Sequence, residues 1–436
     1  MKILFLRCFV IAATLLAVIA YGENKQTNYK VANLDSLGGT TSGGIGINNR
    51  GWITGSSNLD GDQIVHAALW KSESPIDLGT LGGPNTSSSI LWPIKNKRGV
   101  ISGISQTDEL DPLGEAWSCS AFIPNIGHTC VGFVWKDGEM NPLPTLGGSN
   151  GFAAGINKFG QIVGWAENTV HDPTCNPLST QKLQFLAVVW DSDQNLIQTL
   201  PPLQGDSVSS ATEINDKGQI VGISGACDRA VGRLSAAHAV IWEDGSPTDL
   251  GNIGGNAWNT PMAINESGEV VGFANVAQGT PFNAHAFRWT KNDGIEDIGT
   301  LPISEHRISQ ALGINKKGQI VGISCAPGFV DCRAFLYENG EMTDLNTMVP
   351  GYTGFLVFAN DINDSGEITG GAIDADTGEA VTFLATPIHG HHEDDVAESF
   401  KTTRADRHLK KDLALSERAR QMILQRMGLA GVPWME

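Results

Sequence analysis

The chain has 436 residues, of which 41% are hydrophobic and 17% are charged. This balance excludes a largely disordered chain and leaves enough apolar side chains for a sizeable core. The 52 glycines favour many turns over long helices, and a net charge of −18 argues against nucleic acid or an anionic membrane surface as a partner.

The first 22 residues have the pattern of a secretory signal peptide. Lys2 and Arg7 precede an apolar run at 8–20, and residues 20–22 (Ala-Tyr-Gly) have the small-x-small form of a cleavage site. Loss of residues 1–22 would shift the net charge from −18 to −20, and we expect a secreted or periplasmic protein. An N-terminal membrane anchor is the alternative, and no span is predicted in the mature chain.

Export makes the cysteines informative, because an oxidising compartment permits disulfides. Removal of Cys8 leaves six cysteines, an even number that predicts three bridges, with buried free thiols as the alternative. Spacing favours two local pairs and leaves a third: Cys119–Cys130, Cys325–Cys332 and Cys175–Cys227. A zinc site is not expected, since no Cys-x-x-Cys spacing occurs.

One phrase recurs seven times along the chain. It reads Ile-Asn-x-x-Gly, followed by an apolar pair and a glycine, and its clearest copy runs from Ile156 to Gly164. Spacings of 48 to 61 residues between copies are typical of a repeat array. The repeat asparagines are Asn48, Asn96, Asn157, Asn215, Asn265, Asn315 and Asn363.

Each repeat unit is predicted to form four short strands. The first strand ends in Ile-Asn, and Asn-x-x-Gly forms a tight turn to the second, with asparagine capping the turn and glycine in the left-handed conformation. A variable loop leads to a third strand that ends in tryptophan, and an Asp-Gly or Asn-Gly turn leads to the fourth. Seven such units predict an all-β, seven-bladed β-propeller of four-stranded antiparallel blades.

The order of strands within a blade follows from reach. A connection from the outermost strand to the next innermost one spans roughly 15 Å, which is too far for a tight turn. It is therefore either the corner at 81–83 and its counterparts or the variable loop, and we favour the corner. The first strand is then innermost, where small residues such as Ala211 fit. Unit seven ends after its third strand, and residues 29–35 supply a spare one. We predict that this N-terminal strand closes the ring within a domain at 23–388.

Residues 389–436 differ from the repeats. They carry eight basic and eight acidic residues, and begin with a polar segment that contains His389, His391 and His392. Transition-metal capture by these histidines is the alternative to a linker. A shared apolar face that includes Leu415 and Met422 predicts a short helix, which we expect to dock on the propeller or on a partner.

The third-strand phrase at 285–287 (His-Ala-Phe), with Trp289 and the Asp-Ile-Gly-Thr-Leu phrase at 297–301, resembles the extracellular repeats called the HAF family. The resemblance covers residues 34–386, although units one and four read His-Ala-Ala and His-Ala-Val at the tripeptide and unit six begins with Arg333. It implies an exported bacterial repeat protein and carries no catalytic residues.

Two residue patterns in the repeats invite a metal interpretation. His66, His238 and His285 recur on third strands, but neighbouring blades splay apart there, so we expect structural histidines. The tryptophan column is predicted to be core between blades. Residues 374–379 resemble part of a calcium loop, and 58–62 lie on the neighbouring blade. We therefore predict no cofactor, with calcium as the alternative to solvated turns.

For function, the preferred interpretation is a binding scaffold for a carbohydrate or protein ligand, with no reaction assigned and no oligomeric state predicted. The long loops at 105–129 and 165–182 point to units two and three. The predicted ligand contacts are Trp117, Trp165, His128, His171 and Asp172.

The alternative is a secreted hydrolase or lyase with its site at the propeller mouth. Glu213 and Asp361 are the only first-strand carboxylates that can be placed there, and they lie three blades apart. No Gly-x-Ser-x-Gly, His-Glu-x-x-His, phosphate-loop or dinucleotide fingerprint occurs, so no catalytic residue is assigned.

Overall fold

The computed structural model describes residues 27–90, 99–115, 123, 127–175, 180–191, 196–228, 232–277, 282–329 and 331–388. Several sequence predictions concern residues outside these ranges: the signal peptide at 1–22, Asn96, Trp117, Cys119 and the tail at 389–436.

The described residues form strands β1 to β28 and two short 3₁₀ helices, Pro327–Phe329 and Leu345–Thr347. The strands of units one to three are β2 (Gly38–Ile47), β3 (Ile53–Leu59), β4 (Val65–Trp70), β5 (Pro75–Asp77), β6 (Ser88–Ser89), β7 (Ile101–Leu110), β8 (His128–Lys136), β9 (Glu139–Pro142), β10 (Gly147–Ile156), β11 (Gln161–His171), β12 (Leu183–Asp191) and β13 (Leu196–Leu200). The strands of units four to six are β14 (Val208–Ile214), β15 (Ile220–Gly225), β16 (His238–Glu243), β17 (Ser246–Gly251), β18 (Thr260–Ile264), β19 (Val270–Asn275), β20 (Ala284–Thr290), β21 (Gly294–Gly299), β22 (Ile308–Ile314), β23 (Ile320–Cys325), β24 (Cys332–Glu338) and β25 (Glu341–Asp344). The remaining strands are β1 (Tyr29–Leu34), β26 (Phe355–Ile362), β27 (Ile368–Ile373) and β28 (Ala380–Pro387).

Antiparallel four-stranded meanders dominate the described structure. Five sheets have this form: β6–β9, β10–β13, β14–β17, β18–β21 and β22–β25. The sixth sheet is mixed and has eight strands, because β2–β5 join β26–β28 through one parallel bridge between Thr41 and Ala380. This all-β arrangement agrees with a propeller-like fold.

The two ends of the repeat region meet in the mixed sheet. Strand β1 pairs antiparallel with β28, from Tyr29 opposite Pro387 to Leu34 opposite Thr382. Tyr29 is buried in the core, and its backbone N–H donates to the Met348 carbonyl at 2.8 Å. The outermost strand beside β28 therefore comes from the opposite end of the repeat region.

The repeat asparagine does more than cap its turn. In unit four, Asn215 Oδ1 accepts the backbone N–H groups of Lys217 and Gln219, both at 3.0 Å. Its Nδ2 donates to Gln219 Oε1 at 2.8 Å and to the carbonyl of Asn265 in the next unit at 3.1 Å. The sequence analysis recognised the cap but missed the bond to the next unit.

This inter-unit bond recurs between successive asparagines. The described donor and acceptor pairs, at 3.0 to 3.4 Å, are Asn157 to Asn215, Asn215 to Asn265, Asn265 to Asn315, Asn315 to Asn363 and Asn363 to Asn48. The last pair joins unit seven to unit one. We call the edge that carries these turns the turn face, and the opposite edge, which carries the second-to-third-strand loops, the loop face.

The first strands β2, β10, β14, β18, β22 and β26 each pack against the first strand of at least one neighbouring unit, as expected for the innermost strand. Small side chains are required by this crowding. At Gly44, for example, an added Cβ would lie 2.1 Å from Thr369 Oγ1. The alanines at the same repeat position are buried as well: Ala153, Ala211, Ala311 and Ala359.

The histidines that recur on third strands are structural, as predicted. The Nδ1 atom of each forms a hydrogen bond with an aspartate on the adjacent fourth strand, at 2.8 to 3.0 Å: His66–Asp77, His238–Asp249 and His285–Asp297. In unit six, Arg333 replaces histidine and pairs with Asp344 at 3.0 Å. These pairs explain why an aspartate recurs on the fourth strand.

The tryptophan column packs in the core, although Trp135 and Trp289 are only partly buried there. Trp70, Trp190 and Trp242 are fully buried. Each indole N–H donates to a backbone carbonyl ahead of a first strand, at 2.8 to 2.9 Å, namely those of Asp35, Pro144 and Pro201.

Two of the three predicted disulfides are present in the described chain. Cys325–Cys332 joins paired positions of β23 and β24 within unit six. Cys175–Cys227 joins the loop after β11 to the segment after β15, and so links units three and four. The pairing of Cys130 stays a prediction, because Cys119 lies outside the described residues. No helix in the described ranges is long and apolar enough to cross a membrane.

Candidate acid–base site between units two and three

The loop face of units two and three is built from two extended hairpins. Strand β7 continues to Leu110 and β11 continues to His171, so the predicted loops at 105–129 and 165–182 are partly strand. Each hairpin has a register shift, between Gln106 and Leu110 and between Glu167 and His171. These shifts place polar side chains between the two units.

The predicted ligand contacts do not form a surface in the described structure. Trp165 is 1% exposed and packs against Phe185, with ring centroids 5.4 Å apart. Asp172 is buried, whereas His171 is exposed. His128 Nδ1 bonds with the Thr107 carbonyl at 2.7 Å. The assignment of Trp165 as a ligand contact is therefore corrected, because it is a core residue. Trp117 lies outside the described residues.

A group of buried carboxyls and amides occupies the junction of these hairpins instead. We call it the carboxyl cluster. Asp111 and Glu115 follow β7, Asn150 lies on β10, Glu167 lies on β11 and Gln181 precedes β12. Apart from Asp111, which is partly exposed, all of these residues are buried.

Hydrogen bonds connect the members of the carboxyl cluster. Asn150 Nδ2 donates to Asp111 Oδ2 at 2.8 Å and to Glu167 Oε2 at 3.2 Å. The backbone N–H of Asn150 also donates to Glu167 Oε2, at 2.8 Å. Gln181 Nε2 donates to Glu167 Oε1 at 3.0 Å. A continuous network therefore runs from the partly exposed Asp111 to the buried Glu167.

Glu115 joins the same junction through hydrogen bonds from the backbone at the start of β12. Its Oε1 accepts the N–H groups of Lys182 and Leu183, both at 2.6 Å. The carbonyl of Leu183 in turn accepts the Gln181 amide at 2.7 Å. Glu115 and Glu167 are thus held on either side of one short segment.

Burial raises the pKa of both glutamates. Removal from water raises the pKa of Glu167 to about 7, and the nearby Glu115 and Asp111 charges add to the rise, while bonds from Gln181 and Asn150 oppose it. Burial also raises the pKa of Glu115 above its ordinary value, with the Asp111 charge contributing. Glu167 therefore exchanges its proton near neutral pH.

Unit two shows what the same position looks like without a carboxyl. Gln106 and Glu167 each stand three residues after the second glycine of the repeat phrase, Gly103 and Gly164. Gln106 Oε1 accepts the Ser87 N–H at 2.8 Å, as Glu167 Oε2 accepts the Asn150 N–H. The sequence analysis above does not name Glu167, although an alignment of the seven units would have shown it as the only carboxyl at this position.

The axial carboxylates are not brought together. Glu213 lines a cavity of about 200 Å³ at the turn face, with Asn215, Asn265 and Lys316 among its neighbours. Its Oε1 accepts the N–H of Ile214. Asp361, by contrast, accepts backbone N–H groups of Ile362 and Ile47 at 2.8 and 2.9 Å. These two carboxylates serve first-strand backbone groups in separate units.

The calcium-loop fragments are also satisfied internally. Asp374 Oδ1 accepts the backbone N–H groups of Asp376 and Thr377, and Oδ2 accepts Asn33 Nδ2 at 2.8 Å. Asp62 Oδ1 accepts the Thr40 N–H at 2.8 Å. Among the described residues, no set of three or more His, Cys, Asp and Glu side chains is arranged to hold a metal ion.

A serine–histidine–aspartate grouping in unit six is structural. His306 Nδ1 bonds with Ser324 Oγ at 2.9 Å, and its Nε2 lies 3.7 Å from Asp331. Ser324 is fully buried and accepts the Leu301 N–H at 3.1 Å. Serines of three other units accept the equivalent leucine N–H at 2.8 to 2.9 Å, which makes this a repeat feature: Ser57 to Leu37, Ser105 to Leu81 and Ser224 to Leu203.

No protein-family model and no curated protein matches the chain. Among solved structures, an oligogalacturonate lyase from Vibrio parahaemolyticus is 9% identical, with coverage of 83% of this chain and 96% of that one and a TM-score of 0.47. An oligogalacturonate lyase in complex with manganese is 10% identical, with coverage of 83% and 97% and a TM-score of 0.46. The acylaminoacyl peptidase of Pyrococcus horikoshii is 12% identical, with coverage of 80% and 52% and a TM-score of 0.44.

The scaffold interpretation is corrected on the position of Trp165. The described residues do not form the aromatic contact surface that the scaffold required, since Trp165 is buried. No residue role is transferred at these identities. The enzymatic alternative is therefore developed from the carboxyl cluster of this chain alone.

Proposed function

We propose that the protein is a hydrolase or lyase in which Glu167 transfers the proton and Glu115 is the second carboxyl of the site. The observation that carries this proposal is a fully buried glutamate whose pKa is raised to about 7. A general acid–base group works best when its pKa lies near the working pH. Pairs of carboxyls with shifted pKa values are a frequent sign of such chemistry.

The comparison with unit two supports this role. Gln106 accepts a first-strand N–H without carrying charge, and the equivalent position in other units holds uncharged residues such as Gly225 and Cys325, so the fold does not require a carboxyl there. Glu167 adds a titrating group in a buried place, and burial of an ionisable group has a free-energy cost. A structural role explains the accepted hydrogen bond but does not explain the carboxyl.

The substrate we propose is a carbohydrate or a peptide that reaches the loop face of units two and three. Asp111 is partly exposed and shares the Asn150 amide with Glu167, so the network connects the buried acid with that face. In a hydrolase, Glu167 would protonate the leaving group and Glu115 would assist the attacking water. In a lyase, the same pair would remove a proton and protonate the leaving oxygen.

Three finer points belong to the same proposal. We propose seven blades, counting β2–β5 and β26–β28 with β1 as two of them. We propose export, to which the two disulfides and the signal-peptide pattern lend support. We also keep the resemblance to HAF repeats as a proposal about the family.

The test is an activity screen of the purified mature protein on neutral polysaccharides, acidic polysaccharides and peptides. Release of reducing ends detects a hydrolase, and ultraviolet absorbance of an unsaturated product detects a lyase. Glu167→Gln keeps the hydrogen-bond acceptor and should lower kcat by roughly 10²–10⁴-fold. Glu213→Gln changes a buried carboxylate on the first strand of unit four, outside the site; it is the matched control and should retain activity.

The pH profile gives a second readout. For the wild-type protein, kcat should change near pH 7, where Glu167 titrates. An active protein whose rate and pH profile are unchanged in Glu167→Gln would contradict the assignment. Absence of turnover on every substrate class would contradict the enzymatic function itself.

A further inference from the structure

Two aromatic side chains of the turn face differ from the residues that other units carry at the same positions. Trp52 directly follows the turn glycine of unit one, where units three to seven have glutamine or glutamate: Gln161, Gln219, Glu269, Gln319 and Glu367. Phe159 occupies the third turn position of unit three, where the other units have arginine, lysine or serine: Arg50, Arg98, Lys217, Ser267, Lys317 and Ser365. The repeated turn therefore requires neither aromatic residue.

The usual residue after the turn glycine has a structural task that Trp52 does not perform. In units three to seven, Nδ2 of the turn asparagine donates to the glutamine or glutamate side chain, as Asn157 does to Gln161 Oε1 at 2.7 Å. An indole has a donor and no acceptor, so Trp52 cannot receive this bond. What Trp52 adds is an aromatic ring, which packs against the core and stays partly exposed.

Exposed cations lie over both aromatic rings. The Arg50 guanidinium and the Lys71 ammonium lie 5.4 and 4.2 Å from the centroid of the Trp52 ring. The Lys158 ammonium lies 4.8 Å from the centroid of the Phe159 ring, and Phe159 is 62% exposed. Cation–π contacts hold each cation beside an aromatic surface. We call these five residues the basic aromatic patch.

Charge is distributed unevenly around the turn face. The two middle turn residues of units one to three are Asn-Arg (49–50), Lys-Arg (97–98) and Lys-Phe (158–159), with four basic residues and no acidic one. Those of units four to seven hold three basic and three acidic residues: 216–217, 266–267, 316–317 and 364–365. The turns of units one to three are therefore positive in a chain whose net charge is −18.

Unit two lies between the two aromatic residues. Its strand β6 packs against β4 of unit one, and its strand β8 packs against β10 of unit three. A Cβ added at Gly99, the turn glycine of unit two, would lie 4.0 Å from Trp52 Cζ3. The turn that borders Trp52 is thus basic in sequence, although Lys97 and Arg98 lie outside the described residues.

Two of the three cations in the patch can pair with a ligand. Arg50 and Lys71 are exposed, and neither forms an ion pair within the part of the chain that the structure describes. Lys158, by contrast, pairs with Asp216 at 3.6 Å, and Asp216 also accepts the Lys158 N–H at 2.8 Å. An anion that reaches the patch would therefore pair with Arg50 and Lys71.

We propose that the basic aromatic patch binds an anionic polysaccharide chain. An aromatic ring offers a flat apolar surface to the C–H face of a sugar ring, and guanidinium and ammonium groups form charge-assisted hydrogen bonds with carboxylate or sulfate. The two aromatic residues belong to units one and three, which are not neighbours. A chain of several sugars therefore fits the patch better than a single sugar.

The outer part of the same face disfavours a broad anionic partner. The turns between third and fourth strands also lie at the turn face and carry exposed carboxylates, among them Asp137, Asp244 and Asp293. A lipid bilayer or a DNA duplex would meet these charges together with the patch, and like charges repel. A narrow chain can follow the inner turns without reaching them.

This binding site goes beyond the proposed enzymatic function and does not depend on it. The patch lies on the turn face, at the opposite edge of the sheets from the carboxyl cluster, and shares no residue with that cluster. A chain bound there would hold the protein on an anionic polymer and leave the loop face open to substrate.

The experiment is calorimetric titration of the purified mature protein with dextran sulfate, alginate fragments and unmodified dextran. A salt concentration of about 0.15 M NaCl limits the reach of distant charges to about 8 Å, so contact with the patch decides the result. We expect binding of both anionic chains and no binding of dextran. A protein that binds neither anionic chain, or binds dextran equally well, would overturn the proposal.

Phosphatidylglycerol vesicles and duplex DNA are titrated in parallel, because they offer negative charge without the sugar chain that the patch should recognise. Both should bind more weakly than dextran sulfate and alginate. If either binds more tightly than both polysaccharides, that polyanion is the partner and the proposal is wrong.

Three variants that introduce residues from other units locate the binding surface. Trp52→Gln introduces the residue of units three, four and six, and Phe159→Ser that of units five and seven, so both turns should fold normally. Trp52→Gln and Arg50→Ser should weaken dextran sulfate binding at least about tenfold, because tryptophan and arginine often dominate binding energies. Phe159→Ser should weaken it about threefold. Melting temperatures measured alongside report whether each variant is folded.

Lys217→Ser is the matched control for Arg50→Ser, because Lys217 holds the same turn position in unit four and its loss changes the net charge equally. This variant should bind dextran sulfate as the wild type does. Equal losses in Lys217→Ser and Arg50→Ser would make net charge, and not the patch, the cause of binding. Unchanged binding in both Trp52→Gln and Arg50→Ser would place the chain elsewhere on the protein. Either result overturns the assignment.

Binding and turnover are separate measurements. A protein that binds dextran sulfate through the patch but cleaves no substrate refutes only the proposed enzymatic function. A protein that cleaves a substrate but binds neither anionic chain at the turn face refutes only the present inference.

Discussion

The turn face and the carboxyl cluster differ in how completely their buried polar groups are hydrogen-bonded. At the turn face, Asn215 satisfies its own turn, its neighbour's carbonyl and the following Gln219 with one side chain. In the cluster, Glu115 and Gln181 each leave an oxygen without a partner. The turn face repeats its solution from unit to unit, whereas the cluster occurs between units two and three.

This difference separates two kinds of constraint. A residue that recurs in every unit answers a need that every unit shares, such as a turn cap or an inter-unit bond. A residue that departs from its counterparts, as Glu167 departs from Gln106, answers a need of one place. In a repeat protein, equivalent positions in other units serve as controls for one another. The difference between shared and local constraints can therefore be tested by removing one contact at a time.

The largest effect is expected from the covalent link on the loop face. The double variant Cys175→Ser/Cys227→Ser opens a bridge with a sequence separation of 52, and should lower the free energy of unfolding by about 4 kcal/mol in the chain-entropy picture. Cys325→Ser/Cys332→Ser, which opens a bridge with a separation of 7, should cost about 2 kcal/mol. Urea unfolding measures both, and equal losses would contradict the view that the first bridge fastens two units.

A smaller effect should appear in the pH dependence of stability. Because the pKa of Glu167 is raised in the folded state to about 7 from 4.5, this group stabilises the fold fully below pH 4.5. That contribution is lost as the pH rises to about 7, and amounts to about 3 kcal/mol. Stability curves for the wild type and Glu167→Gln between pH 4 and 8 (roughly the titration range) should diverge by this amount, and parallel curves would refute the shift.

The smallest effect concerns a single asparagine of the turn face. Asn157→Asp keeps the turn cap but loses the bond from Nδ2 to the Asn215 carbonyl, and should lower the free energy of unfolding by about 1 kcal/mol. Nδ2 also donates to the neutral Gln161 amide, which can turn over and donate to the new carboxylate. Asn157→Ala loses the cap as well and should cost about 2 kcal/mol. Thermal denaturation compares the two variants, and an Asp variant as unstable as the Ala variant would make the inter-unit bond the main contribution.

Much of the fold could be predicted because it depends on residue types that are close together in the sequence. Turn capping, small residues such as Ala211 on the inner strand, and tryptophans between sheets each follow from a residue type and its position. The inter-unit role of Asn215 could not be seen, because its Nδ2 bonds a residue 50 positions away. A spacing reveals that two turns are equivalent, but not that they touch.

The sequence and the structure point to the same two units for a candidate site, but to different residues. Long loops pointed to units two and three, and exposed aromatics were expected there. Trp165 is buried because β11 continues past it and both faces of the strand are covered there, from Ile162 to Glu167. Glu167, the candidate acid–base residue, lies two residues later. Its shifted pKa depends on burial and on Glu115, which is distant in the sequence.

Strand β1 has a consequence for the timing of folding. It is the first strand to be synthesised among those described, and it pairs with β28, as Tyr29 lies opposite Pro387. The chain must therefore carry an unpaired leading segment until nearly the whole repeat array has emerged, and pairing of such distant residues is slow. A fragment that ends before residue 380 has no place for β1, so intermediates of synthesis carry two open sheet edges that only the finished chain can cover.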